Sequence, residues 1–187
     1  MTAVASPRCS QGPSQLAVLR HYIRFMWRFV VLRKVDPLIY GIAVTDRCNL
    51  RCQGCTVANT GRPSMTWPAL EQAMNGAYDR GFRELYFSGG EPTLWHDGDR
   101  TLDDAIEAAR SIGFFHVHVY TNGTHGIPMG ADTVWVSMDG LPETFRLRRG
   151  DFFDRVSQAA RARRPPRAPG LRPGAGPTAP GIRPFPE

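Results

Sequence analysis

Three cysteines lie within eight residues of this 187-residue chain, at Cys48, Cys52 and Cys55. Such crowding argues against a disulfide framework, and it indicates thiolates that converge on one metal centre in a reducing, cytoplasmic compartment. The spacing C-x3-C-x2-C leaves either a tetrahedral metal or a cubane cluster one ligand short. His96 or an aspartate would complete a structural zinc site, whereas a four-iron cluster would keep one iron open to a ligand. The fourth cysteine, Cys9, is far away and is interpreted as an incidental thiol.

Further unusual residues follow strand-like segments. These segments end in SGGEP (88–92), YTNG (120–123) and SMDG (137–140), and the cysteines follow an earlier one. The carboxyl ends of parallel strands meet at one edge of a sheet, and reactive groups gather there. We therefore expect all four loops to form one site.

The elements that must position these loops alternate along the chain. Four buried strands are predicted at 38–45, 83–90, 114–123 and 132–140. Helices are predicted at 66–80, 101–111 and 151–163 from their apolar spacing and capping residues. Strands separated mostly by helices predict an α/β fold with a parallel sheet, covered by helices on one face and filled on the other.

The composition, 42% hydrophobic and 21% charged, is typical of a globular protein. The net charge of +6 comes from the two ends, because residues 36–160 hold eleven arginines against sixteen acids. A nucleic-acid interpretation based on net charge would depend on residues outside the folding region, so we expect no nucleic-acid partner.

The two ends differ from the middle. Residues 1–14 and the Arg/Pro/Gly-rich residues 161–187 are predicted to be disordered. Residues 15–35 predict a basic amphipathic helix, with Arg20, Arg24 and Arg28 on one face. This helix is too interrupted by charge to cross a bilayer. It either makes peripheral contact with an anionic membrane surface or packs across the mouth of the following domain.

The segment TDRCNLRCQGC (45–55), followed by YFSGGEP (86–92), resembles the radical S-adenosylmethionine (SAM) superfamily. YTNG, SMDG and RRGDFFDRV (148–156) extend the resemblance, which runs from about residue 39 to residue 156. It implies that residues 36–160 are the core of a partial (βα)6-type, TIM-like barrel with about four βα units. We expect the barrel to be truncated after the fourth unit, with the natural reading frame lost near residue 160.

The resemblance also implies the ligands. Cys48, Cys52 and Cys55 would bind three irons of a single 4Fe–4S cluster, and SAM would chelate the fourth iron through its amino and carboxylate groups. The residues expected to contact SAM are Gly89, Gly90, Glu91, Pro92, Thr121, Asn122, Ser137, Asp139 and Arg149.

The implied reaction is reductive cleavage of SAM to methionine and a 5′-deoxyadenosyl radical. The radical would abstract hydrogen from a small-molecule, lipid or peptide substrate, and flavodoxin or ferredoxin would supply the electron. Two alternatives stay open: an inactive remnant that still binds a cluster, and a zinc-stabilised binding module.

Overall fold

The computed structural model describes residues 14–34 and 38–162. The elements in chain order are α1 (Gln15–Val30), β1 (Ile39–Thr45), α2 (Trp67–Asp79), β2 (Glu84–Gly89), a 3-10 turn (Pro92–Leu94), β3 (His96–Asp97), β4 (Arg100–Thr101), α3 (Leu102–Ile112), β5 (His116–Thr121), β6 (Thr133–Val136), α4 (Pro142–Arg149) and α5 (Phe153–Ala162). The segments predicted to be disordered lie outside the described residues, except for their innermost positions 14, 161 and 162.

The central feature is a four-stranded parallel sheet with strand order β1-β2-β5-β6. All four predicted strands are confirmed. Spatial order follows chain order, so the sheet winds in one direction, as in a barrel, and lacks the reversal of a doubly wound sheet. The predicted α/β class is therefore confirmed, with four strands of a partial barrel. A short β3–β4 hairpin, which the sequence did not predict, precedes α3.

One face of the sheet is buried under α2 and α3. Strand β5 alternates between buried and more exposed residues, so one side of each strand points to the helices. The core between the two layers includes Val44, Leu70, Met74, Leu85, Phe87, Ile106, Val117 and Val119. This packing fixes the strands whose carboxyl ends carry the candidate site.

The opposite face carries a row of aromatic rings. Tyr86 meets Tyr120 edge to face at 5.2 Å between ring centroids, and Tyr120 stacks on Trp135 at 5.8 Å. Tyr120 and Trp135 are 44% and 54% exposed. The prediction that this face is filled is therefore wrong for the described residues. The rings lie open because no described element covers them.

Helix α1 packs at the amino-terminal end of the sheet. The Tyr22 hydroxyl donates to Glu84, the first residue of β2, and the His21 ring contacts Phe115, just before β5. The cysteine loop follows the opposite end of the sheet. Helix α1 therefore packs on the domain, but not across the end that carries the cysteines. The helix ends at Val30, earlier than the predicted residue 35, which lies outside the described residues. Among the described residues, no helix is long and apolar enough to span a bilayer.

Candidate functional site

The cysteine loop and the glycine turn after β2 form one unit. The Gly90 N–H donates to the Thr45 carbonyl at 2.8 Å, and the Glu91 N–H donates to the Arg47 carbonyl at 2.8 Å. A Cβ atom on Gly89 would overlap the Thr45 carbonyl, and one on Gly90 would overlap the carbonyls of Asp46 and Arg47. Only glycine allows this approach, because any side chain would separate the two backbones. The two sequence motifs are therefore in direct contact at the carboxyl edge of the sheet.

Asn59 holds the first half of the cysteine loop. Its side-chain oxygen accepts from the Cys48 N–H at 3.0 Å, and its amide nitrogen donates to the carbonyls of Cys48 and Leu50. Asn59 has a positive φ of 55°, which asparagine tolerates better than most residues. The backbone around Cys48 is thus fixed by a side chain eleven residues further along the chain.

The three cysteines are free thiols. Cys48 and Cys52 are half-buried, and Cys55 is exposed. Burial raises the pKa of the Cys48 thiol, and the negative charge of Cys52 contributes to that increase. Burial also raises the pKa of Cys52; the Arg149 guanidinium opposes this shift, and the charge of Cys55 adds to it. The pKa of each of these two thiols therefore lies above that of an ordinary cysteine.

Two nitrogen donors from other parts of the chain point at these sulfurs, one just after β5 and one at the end of α4. The Asn122 side-chain nitrogen lies 3.6 Å from Cys48 Sγ, and Arg149 Nη1 lies 3.8 Å from Cys52 Sγ. The Leu50 N–H also donates to Cys48 Sγ, at 3.4 Å. Within residues 14–34 and 38–162, no three His, Cys, Asp or Glu side chains are grouped closely enough to hold a single metal ion.

Glu91 connects the glycine turn to the YTNG turn. Its carboxylate is fully buried and accepts from the Thr93 N–H and hydroxyl, the Thr121 hydroxyl and the Asn122 N–H. Both carboxylate oxygens are therefore engaged within the chain. Glu91 thus fixes the relation of two loops, and its expected contact with SAM stays a prediction. Pro92, which begins the 3-10 turn, is buried beside it.

Asn122 is part of a polar network that ends at the cysteine loop. Its amide nitrogen donates to the Asn49 side-chain oxygen at 3.0 Å, and its oxygen accepts from the Thr124 N–H and hydroxyl. The Asn49 nitrogen donates to the Thr124 hydroxyl at 2.7 Å. Thr121 and Asn122 are both buried. The structure thus gives the side chains of Thr121 and Asn122 partners within the chain, and their expected contact with SAM stays a prediction.

Asp139 and Arg149 pair through two parallel hydrogen bonds. Arg149 Nε lies 2.6 Å from one carboxylate oxygen and Nη2 lies 3.1 Å from the other. These bonds from Arg149 lower the pKa of Asp139 against the opposing effect of burial. Asp139 therefore occupies the guanidinium fork of Arg149, and the expected contacts of both residues with SAM stay predictions. Ser137 follows β6 and its N–H donates to the Thr121 carbonyl at 2.9 Å, so the SMDG turn adjoins the YTNG turn.

The structure therefore brings the predicted site residues to one edge of the sheet, but it engages the side chains of five of them internally: Glu91, Thr121, Asn122, Asp139 and Arg149. Sequence reasoning missed Asn49, Asn59, Thr93 and Thr124, whose side chains bond to residues of the site. A signal was present, because Asn49 lies between two of the cysteines and Thr93 and Thr124 directly follow recognised motifs.

A parallel sheet whose spatial order follows chain order, with a three-cysteine loop against a Gly-Gly turn at its carboxyl edge, defines the class of barrel-type α/β proteins. Residues 42–164 match the profile of the Radical SAM superfamily, and this match covers more than half of the chain. The chain belongs to the Radical SAM superfamily.

Curated relatives agree with this assignment. The chain is 36% identical over 126 residues to a probable GTP 3′,8-cyclase of Methanothermobacter marburgensis, a match that covers 62% of this chain and 40% of that protein. It is 29% identical over 125 residues to a 7,8-dihydro-6-hydroxymethylpterin dimethyltransferase of Methanocaldococcus jannaschii, covering 59% and 24%. The chain thus spans less than half the length of these relatives.

Solved structures share the fold. The structure of native anSMEcpe with bound AdoMet matches with a TM-score of 0.55 and 26% identity, covering 68% of this chain and 40% of that one. Streptococcus suis SuiB bound to the precursor peptide SuiA matches with a TM-score of 0.58 over 87% of this chain and 38% of that one. At 18% identity, this second match supports the fold alone.

The side chains at the rim fit a thiolate-bound iron–sulfur cluster. Three free thiols come from one loop, and N–H groups point at two of the sulfurs, which stabilises sulfur in its charged form. Soft sulfur ligands without convergent carboxylates do not suit magnesium or calcium. His96, the proposed fourth zinc ligand, lies in the β3–β4 hairpin.

Proposed function

We propose that this chain binds a 4Fe–4S cluster through Cys48, Cys52 and Cys55, binds SAM at the adjoining rim, and serves the reductive cleavage of SAM. The observation that supports this most strongly is the pair of backbone hydrogen bonds that joins the cysteine loop to the Gly89–Gly90 turn. A ligand that bridges the open position of a cluster and the carbonyls of a glycine turn needs these two loops side by side. Membership of the superfamily supplies the same expectation independently.

Each part of the rim has a role in this proposal. The cysteines hold the cluster, and the half-exposed backbone of Gly89 and Gly90 offers carbonyl oxygens to the SAM ammonium group. Asn122 and Arg149 are positioning residues, because their N–H groups hold Cys48 and Cys52 in place. When bound, the cluster supplies one electron to the sulfonium of SAM, with flavodoxin or ferredoxin as the electron donor.

Ser137 and Asp139 stay candidates for contacts with SAM, because both lie at the rim beyond β6. Arg149 keeps Asp139 ionised at neutral pH by lowering its pKa. An ionised carboxylate accepts hydrogen bonds only, so Asp139 suits the hydroxyl groups of a ribose. The Asp139–Arg149 pair thereby connects a SAM contact with the position of Cys52.

The substrate face in this proposal is the aromatic row of Tyr86, Tyr120 and Trp135. The two curated relatives are named for GTP and for a pterin, which both contain flat fused rings. An exposed tyrosine–tryptophan stack favours such rings, because planar groups add to an existing stack. We therefore propose a planar heterocyclic substrate within the small-molecule class.

With GTP as the probe, equilibrium dialysis should show that Trp135→Ala weakens binding and that Met129→Ala does not. Equal binding of GTP by both variants would contradict this substrate class.

The proposal is tested by anaerobic reconstitution of the full chain with iron and sulfide, followed by dithionite and SAM. We expect methionine and 5′-deoxyadenosine in equal amounts from the unaltered chain and from Cys9→Ala, and neither product from Cys48→Ala. A chain that takes up the cluster but releases neither product would be the inactive remnant. A chain that binds stoichiometric zinc and no iron would be the zinc-stabilised module.

A further inference from the structure

Helix α1 has one face on the protein and one face in solvent. His21 and Tyr22 contact the sheet end through Phe115 and Glu84. On the outer side, six apolar residues recur at helical spacing and are between 51% and 75% exposed: Leu16, Leu19, Ile23, Met26, Trp27 and Val30. Isolated exposed apolar residues are ordinary, but a continuous apolar stripe on a helix marks an interaction surface.

Positive charge accompanies this stripe. Residues 14–34 contain Arg20, Arg24, Arg28, Arg33 and Lys34 and no acidic residue. At 100° per residue, Arg20 and Arg24 fall along one border of the apolar stripe, and both are exposed. An apolar stripe with a cationic border and an exposed tryptophan is the composition of helices that lie in the interface of a membrane.

A cavity of about 380 Å³ lies beneath the same helix and extends its positive charge into the domain. Four arginines line it, Arg24, Arg28, Arg80 and Arg83, against one carboxylate, Asp79. Arg80 and Arg83 donate to backbone carbonyls, which are uncharged and leave the guanidinium charge in place. The cavity therefore favours an anionic group.

His21 lines this cavity together with the arginines. Its Nε2 atom is buried and has no hydrogen-bond partner among the described residues. Burial lowers the pKa of His21, and the charges of Arg83 and Arg24 lower it further. A ring nitrogen without a partner next to several guanidinium groups is suited to meet an anionic oxygen.

We propose that α1 docks this domain on an anionic phospholipid surface, with the apolar stripe in the interfacial layer and the arginines of the helix and the cavity facing headgroup phosphates. A soluble anion would explain the cavity but not the stripe. An apolar protein partner would explain the stripe but not an arginine-lined cavity beside a helix without acids. The surface lies at the opposite end of the sheet from the cysteine loop, so docking leaves the rim open.

The test is flotation of the full chain with phosphatidylcholine vesicles, with and without phosphatidylglycerol. We expect binding to the anionic vesicles that weakens with salt. Replacing two arginines, as in Arg24→Gln with Arg80→Gln, should weaken binding about thirtyfold, since each cation near the surface contributes roughly 1 kcal/mol and about 1.4 kcal/mol is a factor of ten. Ile23→Asp with Trp27→Asp should weaken it at least as much.

Two control variants separate this surface from general charge and apolarity. Arg155→Gln removes an exposed arginine of α5, and Met129→Asp replaces an exposed apolar residue of another loop. Both should bind like the unaltered chain. Circular dichroism of each variant is the check that it is folded. Equal binding of neutral and anionic vesicles overturns the proposal, as does binding that survives both α1 variants. A third result would also overturn the proposal: the chain does not float with vesicles and sediments as a dimer, which only Ile23→Asp with Trp27→Asp dissociates. The apolar stripe would then bind a second copy of the chain.

Discussion

Gly90 is the residue at which the site is most sensitive to a small change. Its backbone lies against the carbonyls of Asp46 and Arg47, and there is no room there for a methyl group. The residue does not have a positive φ, so alanine is excluded by contact with the neighbouring loop and not by backbone conformation. The cost of a substitution at Gly90 is therefore the cost of moving the cysteine loop.

We predict that Gly90→Ala destabilises the chain by about 1–3 kcal/mol, the usual range for an overpacked contact. It should also reduce the iron retained after reconstitution, because the cysteine loop has to shift. The matched control is Gly76→Ala in α2, where nothing lies near the added methyl group. That change should stabilise the helix by up to about 1 kcal/mol. Urea unfolding measures both, and a Gly90→Ala variant of unaltered stability and iron content would contradict this account.

Glu91 gives a second prediction for a single residue. In the structure, four hydrogen-bond donors converge on the fully buried Glu91 carboxylate. Glu91→Gln replaces one carboxylate oxygen with an NH2 group, which then faces at least one of these donors instead of accepting from it. We expect a loss of roughly 2–3 kcal/mol in the free energy of unfolding. The exposed Glu107 in α3 provides the control, and Glu107→Gln should be nearly neutral. Equal unfolding midpoints for the two variants would show that the Glu91 network contributes no stability.

The residue types at the site were predictable from the sequence, but the partners of their side chains were not. Spacing identified the cysteines and glycines, because metal binding and close backbone approach each require a particular residue type. The partners of Asn122 and Arg149 are 74 and 97 positions away at Cys48 and Cys52, and such pairs are set by strand order. Nothing local in the sequence distinguishes an asparagine that binds adenine from one that binds a cysteine sulfur.

At the scale of elements, strands were easier to predict than short helices. The four parallel strands appear within the predicted segments, because their continuous apolar runs reflect burial. Helix α4 was missed: it is eight residues long and carries three arginines, with Phe145 as its one buried residue. The location of α1 was also unpredictable, since it depends on Tyr22 reaching Glu84 across 62 positions.

The contact between α1 and β2 should respond to pH. Burial raises the pKa of Tyr22 to about 12, and the hydrogen bond to Glu84 adds to the shift. The folded state therefore holds this proton more tightly than the unfolded chain, whose tyrosine has a pKa near 10. The stabilisation is fully present below pH 10 and is lost as the pH rises towards 12.

Tyr22→Phe removes this effect. Measured by urea unfolding between pH 8 and 11, the difference in stability between the unaltered chain and Tyr22→Phe should narrow as the pH rises. Tyr40→Phe should leave the pH dependence intact, because it does not alter the contact with Glu84. A constant difference across the range would mean that Tyr22 does not donate to Glu84.

At the scale of the whole molecule, the described chain is a four-stranded portion of a radical SAM fold whose sheet has two different ends. The carboxyl edge of the sheet carries the cysteines, the glycine turn and the networks that hold them. The amino edge carries α1 and the arginine-lined cavity. The matched region covers 40% of the cyclase relative and of the anSMEcpe chain, so the activity proposed above is proposed for this portion of the fold.

Electron paramagnetic resonance of the reconstituted, dithionite-reduced chain, recorded before and after adding SAM, tests the shared rim most directly. If the three thiolates leave one iron open beside the glycine turn, the spectrum of the reduced cluster should change in shape when SAM binds. Gly90→Ala should weaken that response. A cluster signal that is identical with and without saturating SAM would contradict the account, because the glycine turn would then have no ligand to share with the cysteine loop.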